Sequence, residues 1–395
     1  MNKPIDPSKL KQELTPKLKL KRVAPSVHLL SQQDLLELGT EWEELVENAL
    51  EENAYLCRQY VEALLTHIEH RKVQAISVWR GKALIALLPF TQSRWHWGGI
   101  TKLNTAWTTP YSMLSIPLID KRDAEDAMAC LLNAMGDRST GGNIWLLSEM
   151  TIDGPVSKRL ITECEANSRP IAVLDIFERA TLNSGETFEQ HMKVQVSKKR
   201  RKDLVRNRKR LSELGTLSVS NCCEGDELDR AVNEFLRIEA AGWKGERGTA
   251  LDCTNATRTF AKQAFGVHNG SAVTRADMLE LNGAAIAVNL SLQTGRTAFT
   301  VKCAFDEDYR TYSAGLLLEE DMIREFLEGS WADQLDSATA PGHLIQGLWN
   351  GSTNVGDILL AAGQTPLPFR FYELLEHYRR KARAFAKDIV VRLRH

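Results

Sequence analysis

The chain has no apolar stretch long enough to cross a bilayer: its longest run, Ala83 to Phe90, falls far short of the ~20 residues a spanning helix needs. No secretory leader is expected in the charged opening MNKPIDPSKLKQELTPKLKLKRVAPS, because no apolar core follows it. Cysteine is sparse and without pattern. The seven residues (Cys57, Cys130, Cys164, Cys222, Cys223, Cys253, Cys303) are odd in number and form no C-x-x-C pair, which argues against a disulfide framework and a zinc site. His67 and His70, three apart on an expected helix, have no carboxylate or cysteine partner that would complete a metal site. Net charge is missing too: 50 Lys+Arg against 51 Asp+Glu leave −1, so any affinity for nucleic acid or anionic lipid must come from local clusters. These absences predict a cytoplasmic protein without metal or transmembrane segment, preceded by a flexible basic tail over residues 1–26.

What is present is ordinary globular composition, 43% hydrophobic and 26% charged, over 395 residues, enough for two to three domains. Apolar residues recur at helical spacing from Gln32 to Glu69, predicting two amphipathic helices. VQAISVW, Arg80-Gly81-Lys82 and ALIALLPF then read as a hairpin, Arg94 to Tyr111 as irregular, SMLSIPLI as a strand, Asp123 to Met135 as a helix and NIWLLSEM as a buried strand. After the strand AVLDIF, Thr187 to Gly215 reads as one long helical stretch with a dense basic run ended by Gly215. Two helices follow, Glu227 to Gly242 and Thr254 to His268. ADMLELNGAAIAVNLSLQTGRTAFTVKCAFD gives three strands turned by Asn282-Gly283 and Thr294-Gly295-Arg296. The helix LLLEEDMIREFLEG, the strand ADQLDSA, a loop through Trp349, the strand DILLAA and a basic helix from Phe371 to about Arg394 complete the chain. The pattern predicts an α/β (α+β) mixed sheet in two weakly similar halves, 27–170 and 171–370, followed by the C-terminal helix 371–395.

Three motifs stand out. Tyr312-Ser313-Ala314-Gly315-Leu316 opens a helix, where free backbone N–H groups favour a phosphate and Gly315 admits close approach; Ser313 as an ordinary N-cap is the alternative. Trp243-Lys244-Gly245-Glu246-Arg247-Gly248 puts an aromatic face and two cations on a glycine-rich loop, suited to an anionic or sugar-like ligand or simply to a solvated turn. From Lys198 to Arg210 nine cations, among them Lys198, Arg200, Arg201 and Arg206, stand against Asp203 alone; with no aromatic interleaved, they suit phosphate backbones, anionic lipid or acidic neighbours rather than stacked bases.

A meander of three strands, a loop of small and hydroxyl residues, a helix and a returning strand is the order of the GNAT acyltransferase fold, one α/β arrangement among several on pattern alone. KKRRKDLVRNRKRLSELG, FLRIEAAGWKGERGTAL, KCAFDEDYRTYSAGLLLEEDMI and DSATAPGHLIQGLW, between residues 197 and 349, sharpen this. In that order they resemble the CelD-type acyltransferase domain of the GNAT superfamily, associated with cellulose and other exopolysaccharide gene clusters, and the plan of two GNAT-like halves is similar to Fem-like transferases. The family's Ser-Pro-Gly is Ser313-Ala314-Gly315 here, and its Arg pair after the last Trp is Asn350-Gly351.

The resemblance implies a tandem GNAT-like fold and transfer of an acyl group from acetyl-CoA or another acyl-CoA to an amine or sugar-linked acceptor. It implies a site in the second half. Ser313, Ala314, Gly315 and Leu316 would hold the donor's diphosphate. Asp306 or Asp336 would serve as base, Tyr309 or Tyr312 as acid and His343 as proton carrier, with Trp243, Lys244, Arg247, Lys302 and Trp349 around the acceptor. Two other functions remain open: an aminoacyl-tRNA-dependent transferase gripping RNA with the basic helix, and a non-catalytic accessory protein of polysaccharide synthesis.

Overall fold

The computed structural model describes residues 23–267, 270–340, 342–365 and 367–393. Most of the expected basic tail, and Arg394, lie outside these residues. The chain begins with β1 (Ser26–Ser31), α1 (Gln32–Glu37), α2 (Thr40–Glu47), α3 (Arg58–His67), β2 (Val73–Arg80), β3 (Ala83–Ser93), β4 (Leu103–Ala106) and β5 (Leu118–Ile119). Then come α4 (Ala124–Met135), β6 (Ile144–Thr151), α5 (Pro155–Ala166), β7 (Ile171–Asn183), α6 (Phe188–Val194), α7 (Lys198–Ser212) and β8 (Leu217–Cys222). The second half continues with α8 (Gly225–Ala241), α9 (Trp243–Glu246), α10 (Asn255–Phe265), β9 (Ala272–Leu281), β10 (Ala284–Thr294) and β11 (Thr297–Phe305). It closes with α11 (Ala314–Gly329), β12 (Gln334–Asp336), β13 (Gly351–Ala361) and α12 (Phe369–Leu393).

One mixed sheet carries all thirteen strands, in the order β1-β2-β3-β4-β6-β13-β7-β12-β11-β10-β9-β8, with β5 paired to β3. The order is nearly palindromic. Each half supplies antiparallel strands, a helix, and a strand returning parallel to the third: β6 pairs β4 over Leu103–Thr105, and β12 pairs β11 over Thr297–Phe299. The strand that follows each unit crosses to the other half. Thus β7 lies beside β12, and β13 beside β6, with β7 and β13 paired to each other over ten residues' length of strand. The fold is an α/β mixed sheet of two GNAT-like halves joined by exchanged strands.

Several elements depart from the sequence reading for local reasons. The long helix is two. Thr187 and Gln190 form a capping box for α6, and Ser197 caps α7 by accepting from Arg200 N, so the chain restarts after Val194. Of SMLSIPLI only Leu118–Ile119 pair as strand, while the irregular Trp/Gly stretch contains the short β4. The opening helices are three, each short. A large core under α3, α4, α8 and α10 covers one face of the sheet, and a second core under α6, α7 and α11 the other face of the second half. Burial of this apolar surface, at roughly 25 cal/mol per Å², is what holds the sheet's faces closed.

Candidate functional site

The strands β11 and β12 stay together for three residues and then separate. Thr300 Oγ1 donates to the carbonyls of Asp336 and Ser337, at 3.3 and 3.1 Å, and marks the vertex. Beyond it Ser337 N turns away to Ala180 O on β7, while Thr300–Phe305 continue along β10 alone. At the vertex the register with β10 slips, Leu290 opposing Lys302 and Ser291 opposing Thr300, so Val301 is a bulged residue. A bulge bends the strand and frees backbone groups from the ladder. The result is a wedge whose one wall is an unpaired strand edge, the kind of edge that accepts an extended ligand by backbone hydrogen bonds.

At the open end of that edge stands the N-terminus of α11. Ser313 is in the left-handed region (φ 57°) and makes no side-chain cap; instead its Oγ accepts from Asn207 Nδ2 of α7 at 3.3 Å. The ordinary N-cap expected as the alternative is therefore absent. Leu316 N and Leu317 N both turn onto Ser313 O, whereas Ala314 N and Gly315 N have no hydrogen-bond partner among the described residues. A Cβ at Gly315 would come within 3.3 Å of the Phe305 ring, so glycine keeps this turn open beside the strand end. No acid occupies the first turn, and exposed Arg210 of α7 lies at its side, stacked 5.0 Å above the Tyr312 ring, with Lys209 next to it in sequence. Two open amides at a helix N-terminus, flanked by cations, are the chemistry of a phosphate or diphosphate site.

The expected site residues divide. Ser313, Ala314, Gly315 and Leu316 form the turn itself. Tyr312 and Tyr309 sit half-buried beside it in the short turn Glu307–Tyr312, and Asp306 caps that turn by accepting from Asp308 N at 3.0 Å, its structural role. Lys244, Lys302, Trp243 and Arg247 gather on the face covered by α8. There Lys244 Nζ bonds Glu239 Oε1 at 2.7 Å, and Lys302 Nζ lies 5.0 Å from the Tyr111 ring of the first half. Trp243 N bonds Glu307 Oε1 at 3.1 Å, with Arg247 stacked on the indole, so α9 is tied to the end of β11. Burial lowers the Lys302 ammonium pKa against the attraction of Glu239, and Lys244 lowers it further. His343 is exposed, and its Nδ1 accepts from Ile345 N, capping a short turn.

Asp336 ends β12 at the vertex and is 4% exposed. Burial raises its pKa, opposed by Arg179, whose Nη1 lies 3.8 Å away, and by the bond from Ala338 N at 2.7 Å. Ala338 and Glu149, which also contacts Arg179, are both left-handed non-glycine residues (φ 52° and 53°), a backbone cost of about 1–3 kcal/mol each that the surrounding packing sustains. The side chain of Asp336 also lines a 260 Å³ cleft between the halves, with Thr297, Phe299 and Gln334 from the second half and Glu51, Thr151 and Asp153 from the first. Carboxylates dominate its charged lining, which suits a cationic or polyhydroxylated ligand.

Trp349 lies on the other face and reveals a group the sequence reading missed. Its Nε1 donates to Glu319 Oε1 at 2.6 Å, on the second turn of α11. Burial pushes the Glu319 carboxyl up to about 7, with the Trp349 bond opposing and Asp277 adding repulsion. Glu319 and its neighbour Cys303 on the open strand edge are surrounded by protein yet still reached by solvent, as groups on the floor of a groove are. Its only sequence signal was position, one turn beyond Gly315 in a helix otherwise rich in Leu and Glu.

Comparison with known proteins bears on the fold. Residues 198–337 match the family described as acetyltransferase (GNAT) domain. The chain has the GNAT acyltransferase fold. No curated protein matches it in sequence. Among solved structures, FemX is 10% identical, with TM-score 0.53 over 85% of this chain and 98% of that one. The C-terminal domain of a putative lysylphosphatidylglycerol synthetase from Agrobacterium fabrum is 13% identical, with TM-score 0.51 over 83% of this chain and 91% of that one. A tandem GNAT protein from the clavulanic acid biosynthesis pathway aligns at TM-score 0.40 and 12% identity over 86% of this chain and 100% of that one. The GNAT fold thus rests on topology, the family match over the second half, and likeness in fold alone. Among the described residues no helix is long and apolar enough to cross a membrane, and no group of three His, Cys, Asp or Glu is placed to hold a metal ion.

Proposed function

We propose that the protein is an N-acyltransferase that takes its acyl group from an acyl-CoA in the second half. The observation that carries this reading is the continuous path from the open amides of Ala314 and Gly315, along the unpaired edge Thr300–Phe305, to the bulge at Val301. A diphosphate seated on the turn directs an extended pantetheine chain down that edge and leaves the thioester carbonyl at the vertex. There a backbone N–H freed by the bulge polarises the carbonyl oxygen.

The acceptor amine meets the thioester carbonyl at the vertex. Its nitrogen forms the C–N bond, the C–S bond breaks, and the proton leaves the nitrogen for Glu319, whose raised pKa suits a base at neutral pH. The departing thiolate at the vertex is finally protonated by water, since Tyr309 and Tyr312 stand at the diphosphate end of the edge. Lys302 and Lys244 bind the acceptor's polar groups from the α8 face. The order of the four segments between 197 and 349 supports placement with CelD-type acyltransferases and an acceptor tied to exopolysaccharide synthesis.

Titration calorimetry with acetyl-CoA and longer acyl-CoAs tests the reading. Binding abolished by Gly315→Trp in a folded protein is expected; absence of binding in the wild type overturns it. A second donor, aminoacyl-tRNA, is favoured by one observation: exposed Lys198, Lys199, Lys202, Lys209 and Arg210 run up to the same turn. Arg206 and Arg208 are engaged with Asp203 and with Glu320 and Asp321. Salt-sensitive tRNA binding without CoA binding would select that donor.

A further inference from the structure

Among the described residues, helix α12 is held at its first turns. Tyr372 is fully buried and packs 5.6 Å from the Trp97 ring, and Glu376, also fully buried, accepts from His96, Trp97, Arg379 and Arg380. Burial works against the Glu376 charge, but the hydrogen bonds from Arg379 and His96 outweigh it and hold the carboxyl far below its usual range. Arg380 then ties the helix to Asp175 and Asp357, each at 2.6 Å, on the exchanged strands β7 and β13. Past Arg380 the helix leaves the body of the protein: every residue from 381 to 386 is exposed.

What this anchored helix shows to solvent is an apolar stripe. Phe371, Leu374, Tyr378, Phe385 and Ile389 are spaced three, four, seven and four residues apart, which at 100° per residue confines them to an arc of about 60°. They face away from Tyr372 and Glu376. Tyr378 and Phe385 are 65% and 68% exposed, so nothing among the described residues covers them. From Lys381 to Leu393 the sequence sets four cations, Lys381, Arg383, Lys387 and Arg392, against the single acid Asp388.

We propose that α12 is a membrane-surface element whose stripe lies in the interface of an anionic bilayer. An aromatic and aliphatic stripe on a helix whose outer half is rich in cations is the composition of helices that rest in the plane of a membrane, where apolar burial and attraction to anionic headgroups add. A second copy of the chain fits less well. The stripe is interrupted between Tyr378 and Phe385 by Lys381 at its edge, which a coiled-coil seam would bury, whereas at a bilayer the same lysine extends its charge into the headgroups. Acyl transfer is not required for this inference.

Vesicle flotation of the full chain tests it, using phosphatidylcholine alone and phosphatidylcholine with a third of phosphatidylglycerol. Flotation is expected with the anionic vesicles only, falling at least about tenfold between about 0.1 M and about 0.5 M salt. The pair Phe385→Ser and Ile389→Ser, and separately Lys381→Glu with Arg383→Glu, are each expected to lower binding at least about tenfold. Both pairs lie outside the anchored end, so circular dichroism and Tm should stay at wild-type values. No flotation with anionic vesicles, equal flotation with phosphatidylcholine alone, or wild-type binding by the Phe385/Ile389 variant overturns the proposal. So does a dimer in sedimentation velocity that this variant dissolves while vesicles bind neither protein.

Discussion

The two halves of the molecule build the same device and give it opposite electrical character. In each, a helix follows the antiparallel strands, and the next strand returns parallel to the third for three residues. In the first half that helix, α4, opens with Glu125 and Asp126, and Arg80 closes the end by bonding Asp123 and Asp126 at 3.1 and 2.5 Å. The positive end of that helix therefore already carries the protein's own acids, themselves paired with Arg80. In the second half α11 opens with Ala314, Gly315 and Leu316, no acid in its first turn, and two amides left open. The strand differs as well: β4 ends at Ala106, one residue past its pairing with β6, whereas β11 runs on to Phe305 beyond its last partner on β12. One half places acids at the turn and ends the strand; the other keeps the turn free of acid and carries the strand on. The two halves share a topology, and the charge of one helical turn is what separates them; on the proposed reading it selects the copy that takes the donor.

The sharpest way to break this comparison is to give the second turn the first one's character. Gly315→Glu puts a carboxylate beside the open amides and into the Phe305 ring, and acyl-CoA binding by calorimetry is expected to weaken at least about 100-fold. Asp126→Asn in the first half should leave donor affinity at its wild-type value; a comparable loss there would show that both turns take part.

Next in size is the proton acceptor, since the first half offers no counterpart of Glu319. Glu319→Gln is expected to lower kcat roughly 100- to 10,000-fold and to remove the limb of the pH–rate profile that rises through pH 7 as the carboxyl loses its proton. If that limb survives in Glu319→Gln and vanishes in Asp336→Asn, the base lies on the cleft face instead.

A smaller effect follows in stability. The folded Glu319 holds its proton to about pH 7 while the unfolded chain releases it near the ordinary glutamate value. The native state therefore binds more protons between these values, and stability falls as pH rises through that window, by up to about 3 kcal/mol. Denaturant titrations of Glu319→Gln should lack this slope. Least of all, Arg80→Ala should cost about 1 kcal/mol with donor affinity unchanged, whereas Arg210→Glu should weaken donor binding roughly three- to tenfold with little loss of stability.

Much of this was legible in sequence where the information is local. The meander β9–β11 followed from alternating apolar residues and the turns at Asn282-Gly283 and Thr294-Gly295, because strand period and turn chemistry act over a few residues. The turn at Ser313 was found through its small residues and its glycine. The break between α6 and α7 was missed although both caps, Thr187 and Ser197, stand in the sequence; the uninterrupted run of polar residues hid them. His343 and Asp306 drew attention as titratable types, and both serve as turn caps.

The sequence by itself determined the order of strands and helices, the acid-free turn before α11 and the basic face of α7, since each depends on neighbours within a few residues. Tertiary structure alone decided that β7 and β13 exchange between the halves, that Lys302 meets Tyr111, that Asp336 is buried beside Arg179, and that Glu319 is lifted toward neutrality. A carboxyl's proton affinity depends on what surrounds it in space, and its surroundings here come from segments as far away in the chain as Asp277 and Trp349.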